Sequence, residues 1–102
     1  MLNQVAIVGR IINKPILEKE NEKSKTEITL AVYRTYKNDE GIYEKDFIPV
    51  ILYKSMAENV VEYCDKDDLI GVKGRLETQN EKLVVIADRM TFLSTRKRED
   101  NE

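Results

Sequence analysis

An all-β barrel carrying one helix between its third and fourth strands is the fold class this sequence predicts, and three observations predict it. Apolar residues recur at the two-residue period of strands through most of the chain. A single stretch, Ser55 to Cys64, repeats them instead at helical spacing. The 102 residues, 41% hydrophobic and 35% charged, are enough for one domain with one modest core and not for two.

The chain opens on LNQVAIVGRII, Leu2 to Ile12, a strand apolar on both parities: Val5, Ile7 and Ile11 on one, Ala6, Val8 and Ile12 on the other. Such a strand wants cover on both faces, and in so small a chain a second copy of the same protein is expected to supply one of them. Gly9 predicts a bulge or sharp bend of the kind a barrel corner needs. Asn13-Lys14-Pro15 breaks the strand. The wholly polar run Glu18 to Glu27 predicts a hairpin loop, and Glu27 to Tyr36, EITLAVYRTY, a second strand with Ile28, Leu30 and Val32 set for the core. Lys37 to Asp46, with the turn Asn38-Asp39-Glu40-Gly41, predicts the next loop.

The middle of the chain, Asp46 to Leu76, reads as strand, helix, strand. In the first of these, Ile48, Val50 and Leu52 share one face and Phe47, Pro49, Ile51 and Tyr53 the other, so one face enters the core and the other shows two rings outward. Pro49 cannot donate a ladder hydrogen bond, and its edge is expected to be open or bulged. The helix is predicted to start on a capping box, Ser55-x-x-Glu58, with Met56, Ala57, Val60, Val61 and Cys64 forming its buried stripe. The run Asp65-Lys66-Asp67-Asp68 ends it as a solvated charged segment. Leu69 to Gln79 is the fourth strand, with Ile70, Val72 and Leu76 facing in and Lys73, Arg75, Glu77 and Gln79 facing out. A very short turn, Gln79 to Lys82, leads into the fifth, Leu83 to Leu93.

Composition narrows the chemistry. With no histidine, the commonest general base and metal ligand is missing. The single cysteine sits on the buried stripe, where a thiol packs as a small hydrophobe. Carboxylates gather at Glu18, Glu20 and Glu22 and at Asp65, Asp67 and Asp68, but lysines interleave both groups, as in solvated loops. The residues point away from an enzyme, and no metal or cofactor is expected. No apolar run reaches membrane-spanning length, the N-terminus lacks a signal-peptide pattern, and one cysteine forms no internal disulfide, so the expectation is a cytoplasmic protein.

Five strands with one helix between the third and fourth is the element order of the OB-fold, a small Greek-key barrel. An SH3-like barrel lacks that helix, and a five-strand sandwich does not need it. Within this frame four segments carry a likeness: MLNQVAIVGRI, ITLAVYRTYKN, DFIPVILYKSMAENVVEY and LIGVKGRLET resemble the bacterial single-stranded DNA-binding protein family, in the right order and with the right gaps. The resemblance covers residues 1–93 as one OB-fold domain and leaves 94–102 as a short charged tail, predicted to be disordered. It implies a homo-oligomer, tetramer ahead of dimer, that wraps single-stranded DNA without reading its sequence, in replication, recombination or repair.

The resemblance assigns the family's base-stacking positions to Tyr36, Phe47 and Tyr53. The strand pattern independently places Phe47 and Tyr53 on one outward face, and a row of exposed rings is a stacking platform for any base, since every base has a π-face; a subunit contact would also use such rings. Basic residues placed on strands or strand ends to meet phosphates are Arg10, Arg34, Lys54, Lys73 and Arg75, which on a barrel surface could equally be solvated charges. Tyr33, Tyr43 and Tyr63 carry less signal, with Tyr63, on the helix, expected to serve packing.

Several features depart from the family pattern. There is no tryptophan, the hairpin around Asn80 and Glu81 is cut short, and Asp67 stands where relatives carry a helix-ending glycine. The net charge is −2, with the acid concentrated in Lys37 to Asp46 and Glu62 to Asp68 while the strands are net basic. The last residues, STRKREDNE, hold nothing hydrophobic to dock, so recruitment of replication or repair enzymes through the tail is not expected. Two alternatives share the fold: a primosomal-type dimer that binds DNA secondarily, and an OB-fold module whose aromatic face meets protein.

Overall fold

The computed structural model describes residues 2–94. Its strands are β1 (Val5–Ile11), β2 (Glu18–Glu20), β3 (Lys23–Lys37), β4 (Tyr43–Tyr53), β5 (Leu69–Gln79) and β6 (Lys82–Ser94), with one helix, α1 (Lys54–Tyr63), between β4 and β5. The sheet order is β1-β5-β6-β4-β3-β2, and a second pairing of β1 with β3 closes five of the strands into a barrel. The link between β4 and β6 is parallel and the others are antiparallel. This is the OB arrangement, with the three-residue β2 added at the edge.

β1 closes the barrel because it bends. Val5 to Arg10 pair with β5, and Arg10 and Ile11 pair also with Ala31 and Leu30 of β3. At the bend a Cβ on Gly9 would stand 2.6 Å from the Ala31 carbonyl oxygen, so no other residue lets the strands approach this closely. Of the two apolar parities of β1, the one with Val5, Ile7 and Ile11 faces in, and Val8 and Ile12 face out.

The core joins the predicted inward residues: Ile28 and Leu30, Val50 and Leu52, Ile70 and Val72, with Ile11, Val85 and Ala87, all under the Ala57, Val60 and Cys64 side of α1. Leu76 keeps the inward parity yet is exposed, because the β5–β6 hairpin has run past the core there; it meets Leu2 and Asn3, and the Asn3 amide accepts from and donates to the Leu76 backbone at 2.8 and 3.0 Å. Tyr63 packs edge-on against Phe92, with ring centroids 6.2 Å apart.

Other expectations are corrected here too. Glu18 to Glu27 is not a loop. β2 and β3 pair from Glu18↔Lys25 to Glu20↔Lys23, leaving only Asn21 and Glu22 to turn, both in the left-handed region at φ 51 and 66. The alternation of charges there hides a strand that is polar on both faces, which a hydrophobic pattern cannot reveal. The capping box does not form: β4 runs straight into α1, Tyr53 is the N-cap with no side-chain cap, and the chain turns through Lys54 at φ 57. Glu58 is taken instead by the buried Ser24 hydroxyl, which donates to its carboxylate at 2.6 Å. Asp68 is buried rather than solvated, its carboxylate accepting the Asp65 backbone N–H at 2.7 Å in the turn that follows α1. Ser94 closes β6 opposite Leu69 and does not begin the tail; the tail itself, 95–102, lies outside the described residues.

The open edge expected at Pro49 is present: β4 pairs with β6 only at Val50 and Ile51, so the missing N–H falls where that ladder stops. Asp67, at φ 75, adopts the left-handed conformation that glycine favours, and its N–H donates to the Ile11 carbonyl at 2.7 Å.

Asn80 and Glu81, at φ 52 and 66, repeat the two-residue turn of Asn21 and Glu22. Such turns favour Asn-Gly, and a left-handed glutamate costs about 1–2 kcal/mol. Glu81→Gly should therefore raise the urea midpoint, by about 1 kcal/mol in stability after the entropy glycine adds to the unfolded chain. Gly74→Ala should do the reverse by about 1–3 kcal/mol or more, because its Cβ would meet the Ile86 carbonyl oxygen at 2.0 Å across the β5–β6 ladder.

Candidate nucleic-acid interface

The barrel's outer surface over β1, β3 and β4 is set by the register. Arg10, Ala31 and Phe47 form one row across the three strands, since Arg10 pairs with Ala31 and Ala31 with Phe47. Tyr33 and Lys45 pair in the next row, and Thr29 and Pro49 in the row on the other side. Phe47 is 59% and Tyr33 60% exposed, high values for large rings within strands. The Lys45 ammonium lies over the Tyr33 ring, 5.4 Å from its centroid.

Further along β4 the surface changes character. Ile51, on the parity predicted to face outward, is buried with Val84 and Ile86 of β6, and Tyr53 packs half-buried against this small cluster. The expected platform of rings is therefore interrupted: Phe47 and Tyr53 share a face but stand roughly 20 Å apart along the strand, at ~3.3 Å per residue, with a covered stretch between them. The parallel β4–β6 pairing that covers Ile51 joins segments far apart in sequence, so alternation within β4 does not disclose it.

Two grooves result. One, of about 530 Å³, gathers Tyr53, Lys54, Lys23, Arg75 and Glu20 where β4 enters α1. The other, of about 420 Å³, lies over the bend of β1 and is lined by Val8, Arg10, Ala31, Tyr33, Lys45 and Asp67. The structure thus brings Tyr53, Lys54 and Arg75 together, and places Phe47 in one row with Arg10 at the second groove. It separates Lys73, which faces Ala6 and Arg89 across the β1–β5–β6 ladders. Tyr36, exposed, stands in the irregularity between Tyr33 and Lys37, where β3 carries two residues more than β4. Tyr33 and Lys45 are the groove residues that strand alternation alone did not single out. The signal was available in the register, because Tyr33 falls two places from Ala31 on the face that Phe47 shares.

The arginines are largely engaged within the protein. Arg34 holds Asp46 at 2.8 Å and reaches Glu44 at 3.5 Å. Arg75 bridges Glu77 and Asp88, each at 2.9 Å. Arg10 donates to the Asp67 carbonyl at 3.0 Å. The acid of the predicted loop Lys37 to Asp46 is thus partly spent on Arg34, and Tyr43 to Asp46 belong to β4 rather than to that loop. The hydrogen bonds that Arg34 donates to the Asp46 carboxylate, and then the charge of that carboxylate, hold the guanidinium above its ordinary pKa. In return the Arg34 hydrogen bond keeps the Asp46 carboxyl below the usual carboxylate range.

Comparison with known proteins gives the family. The model of the Single-strand binding protein family matches residues 2–93. The chain belongs to that family. It is 38% identical to Single-stranded DNA-binding protein 1 of Staphylococcus aureus (strain MSSA476), over 100% of this chain and 72% of the relative. It is also 38% identical to Single-stranded DNA-binding protein B of Bacillus subtilis (strain 168), over 97% of this chain and 96% of the relative. Single-stranded DNA-binding protein 2 of S. aureus (strain Mu50 / ATCC 700699) is 41% identical over 91% of this chain and 73% of the relative.

The Arg34–Asp46 pair gives a pH dependence of definite sign. Asp46 has a depressed folded pKa, so its contribution is complete above the unfolded carboxylate pKa and is lost as pH falls through the folded value. Asp46→Asn should lower the chemical denaturation midpoint slightly at pH 7. The two midpoints should converge as the pH is taken below the carboxylate range. Lys25, raised first by its hydrogen bond to Glu20, contributes below the unfolded lysine pKa and loses that contribution only as pH rises through its folded value. Neither pair moves stability between pH 6 and 8.

Proposed function

We propose that this protein binds single-stranded DNA without reading its sequence, as a homo-oligomer that coats and protects exposed strands during replication, recombination or repair in the cytoplasm. Membership of the family supports the reading, and the observation that carries it is the outward exposure of Phe47, within a β-barrel face, beside basic side chains. Bases stack on Phe47, with Tyr53 at one end of the path and Tyr36 at the other. Stacking is tolerant of sequence because it uses the face of a base rather than its edge.

The ion pairs set how the backbone is held. Arg34 and Arg75 already face carboxylates, so a phosphate that contacts either must displace Asp46, Glu77 or Asp88. Net neutralisation per arginine is then small, and stacking carries a larger share of affinity than in a site of unpaired arginines. Lys54 and Lys73 make no ion pair among the described residues and stand ready for phosphate at the two sides of the barrel. This is binding chemistry, and no group here is asked to make or break a bond.

Titration with fluorescently labelled oligo-dT tests the reading. Phe47→Ala should lose on the order of 1–3 kcal/mol, the usual worth of one stacked base. A triple alanine variant at Tyr36, Phe47 and Tyr53 that keeps its circular dichroism and binds as tightly as the parent would dispose of the platform.

Assembly rests on the outer face of β1. Val8 is 53% and Ile12 39% exposed, and Leu83 and Leu93 add 60% and 50% on β6, more apolar surface than a lone barrel needs to show. A tetramer is proposed ahead of a dimer. Val8→Glu, placed outside the core, should leave the fold intact and reduce the mass found by multi-angle light scattering. A parent that runs as a monomer at micromolar concentration would remove the oligomer.

A further inference from the structure

We propose that Tyr33, with Lys45 and Arg10, forms an additional nucleotide subsite in the groove over the bend of β1, seating one base of the strand beside the base stacked on Phe47. The inference rests on the single-strand binding reading and adds to it a site that the stacking positions carried over from the family do not include.

The register makes the case. Tyr33 pairs with Lys45 and Ala31 with Phe47, so Tyr33 and Phe47 are diagonal neighbours on one face, about 7–8 Å apart at their backbones. One strand of nucleic acid can lay successive bases on both. Ala31, which pairs with Phe47 and falls two places from Tyr33 on the same face, is too small to fill the space beside the rings, and it lines the groove there with the backbone of Gly9. A large ring left 60% exposed in mid-strand has given up burial that a core position would provide. Among the described residues neither Tyr33 nor Phe47 packs against another ring; the ring pair present is Tyr63 with Phe92.

Charge fits a phosphodiester at this place. The Lys45 ammonium lies 5.4 Å from the Tyr33 ring centroid and makes no ion pair among the described residues, so it can meet the phosphate next to a base stacked on that ring. Arg10 gives Nη1 to the Asp67 carbonyl, which fixes the guanidinium at the groove wall and leaves its other N–H groups to donate. Asp67 also lines the groove, where its carboxylate opposes phosphate, and Val8 and Ile12 of the proposed assembly face form its β1 wall, so the strand is expected to enter and lie on the Tyr33–Lys45 side.

The test compares parent, Tyr33→Ala, Tyr33→Phe and Lys45→Gln in oligo-dT titrations over a range of salt, with scattering to follow subunit number. Tyr33→Ala should bind on the order of tenfold more weakly at unchanged mass, while Tyr33→Phe should match the parent, because stacking needs the ring and not the hydroxyl. Lys45→Gln should flatten the logarithmic salt slope by about 0.7, the share of one phosphate on a single strand. Tyr33→Ala binding like the parent would overturn the subsite, and so would weakening that appears only together with loss of subunits, since the ring would then belong to a contact between copies. A parent that fails to bind oligo-dT would refute the function itself and would be seen before any variant is compared.

Discussion

The structure depends on β1 belonging to two ladders at once. Its first six residues pair with β5, and its last two cross to β3, which converts an open sheet into a closed barrel. The crossing demands that backbone approach backbone, and a side chain at Gly9 would collide with the Ala31 carbonyl at 2.6 Å. Closure gives β1 a partner on each side, while β4 keeps only a two-residue parallel contact to β6 and β2 stays at the edge. The same bend hollows the outer surface, so the feature that completes the core also makes the groove that Tyr33 and Lys45 line.

The polar network around α1 shows how a small barrel fixes this helix without a conventional start. β4 delivers the chain directly into α1, and the reversal is taken up by Lys54 in the left-handed region. The helix gains its tertiary anchor from Glu58, which accepts the Ser24 hydroxyl, itself an acceptor from Lys19 at 3.1 Å. At the other end the turn from Asp65 to Asp68 returns to β1 through two backbone bonds, Asp67 N–H to Ile11 and Ile11 N–H to Asp68, at 2.7 and 2.9 Å. The carboxylate of Asp68 is buried because it caps that turn, and a buried acid with a donor is tolerated where a bare one would not be. The acidic run after the helix therefore includes a structural member.

Acid and base on the outer surface balance locally as well as in total. A net charge of −2 looks unsuited to a polyanion, yet Asp46, Glu77 and Asp88 are committed to Arg34 and Arg75. These pairs are exposed, so each contributes little to stability. Under the proposed function their effect on binding is larger, because a phosphate that recruits one of these arginines must first compete with a tethered carboxylate. Affinity is proposed to lean on aromatic faces, which salt does not screen, and on lysines such as Lys45 that make no ion pair among the described residues.

The sequence by itself determined the barrel class, the helix and its buried stripe, the inward residues of β3 and β4, the open edge at Pro49 and the bend at Gly9, because each rests on local periodicity or on what one residue type can do to the backbone. It also carried the family, through segments such as the opening NQVAIVGR and the AENV of the helix. The short β2 and the start of β3, Lys23 to Thr26, were not legible, since strands polar on both faces leave no alternation. Tertiary structure alone decided which parity of β1 faces in, that Ile51 is covered by β6, that Asp68 is buried and that Glu58 serves Ser24 rather than a helix cap. It also decided the site's composition. Tyr33 and Phe47 are fourteen positions apart in the chain and become neighbours only through the β3–β4 register, while Arg34, basic in sequence, is met by Asp46 across the same ladder. Pairing between strands distant in sequence is a long-range choice, made by the closure of the barrel and written in no single segment of it.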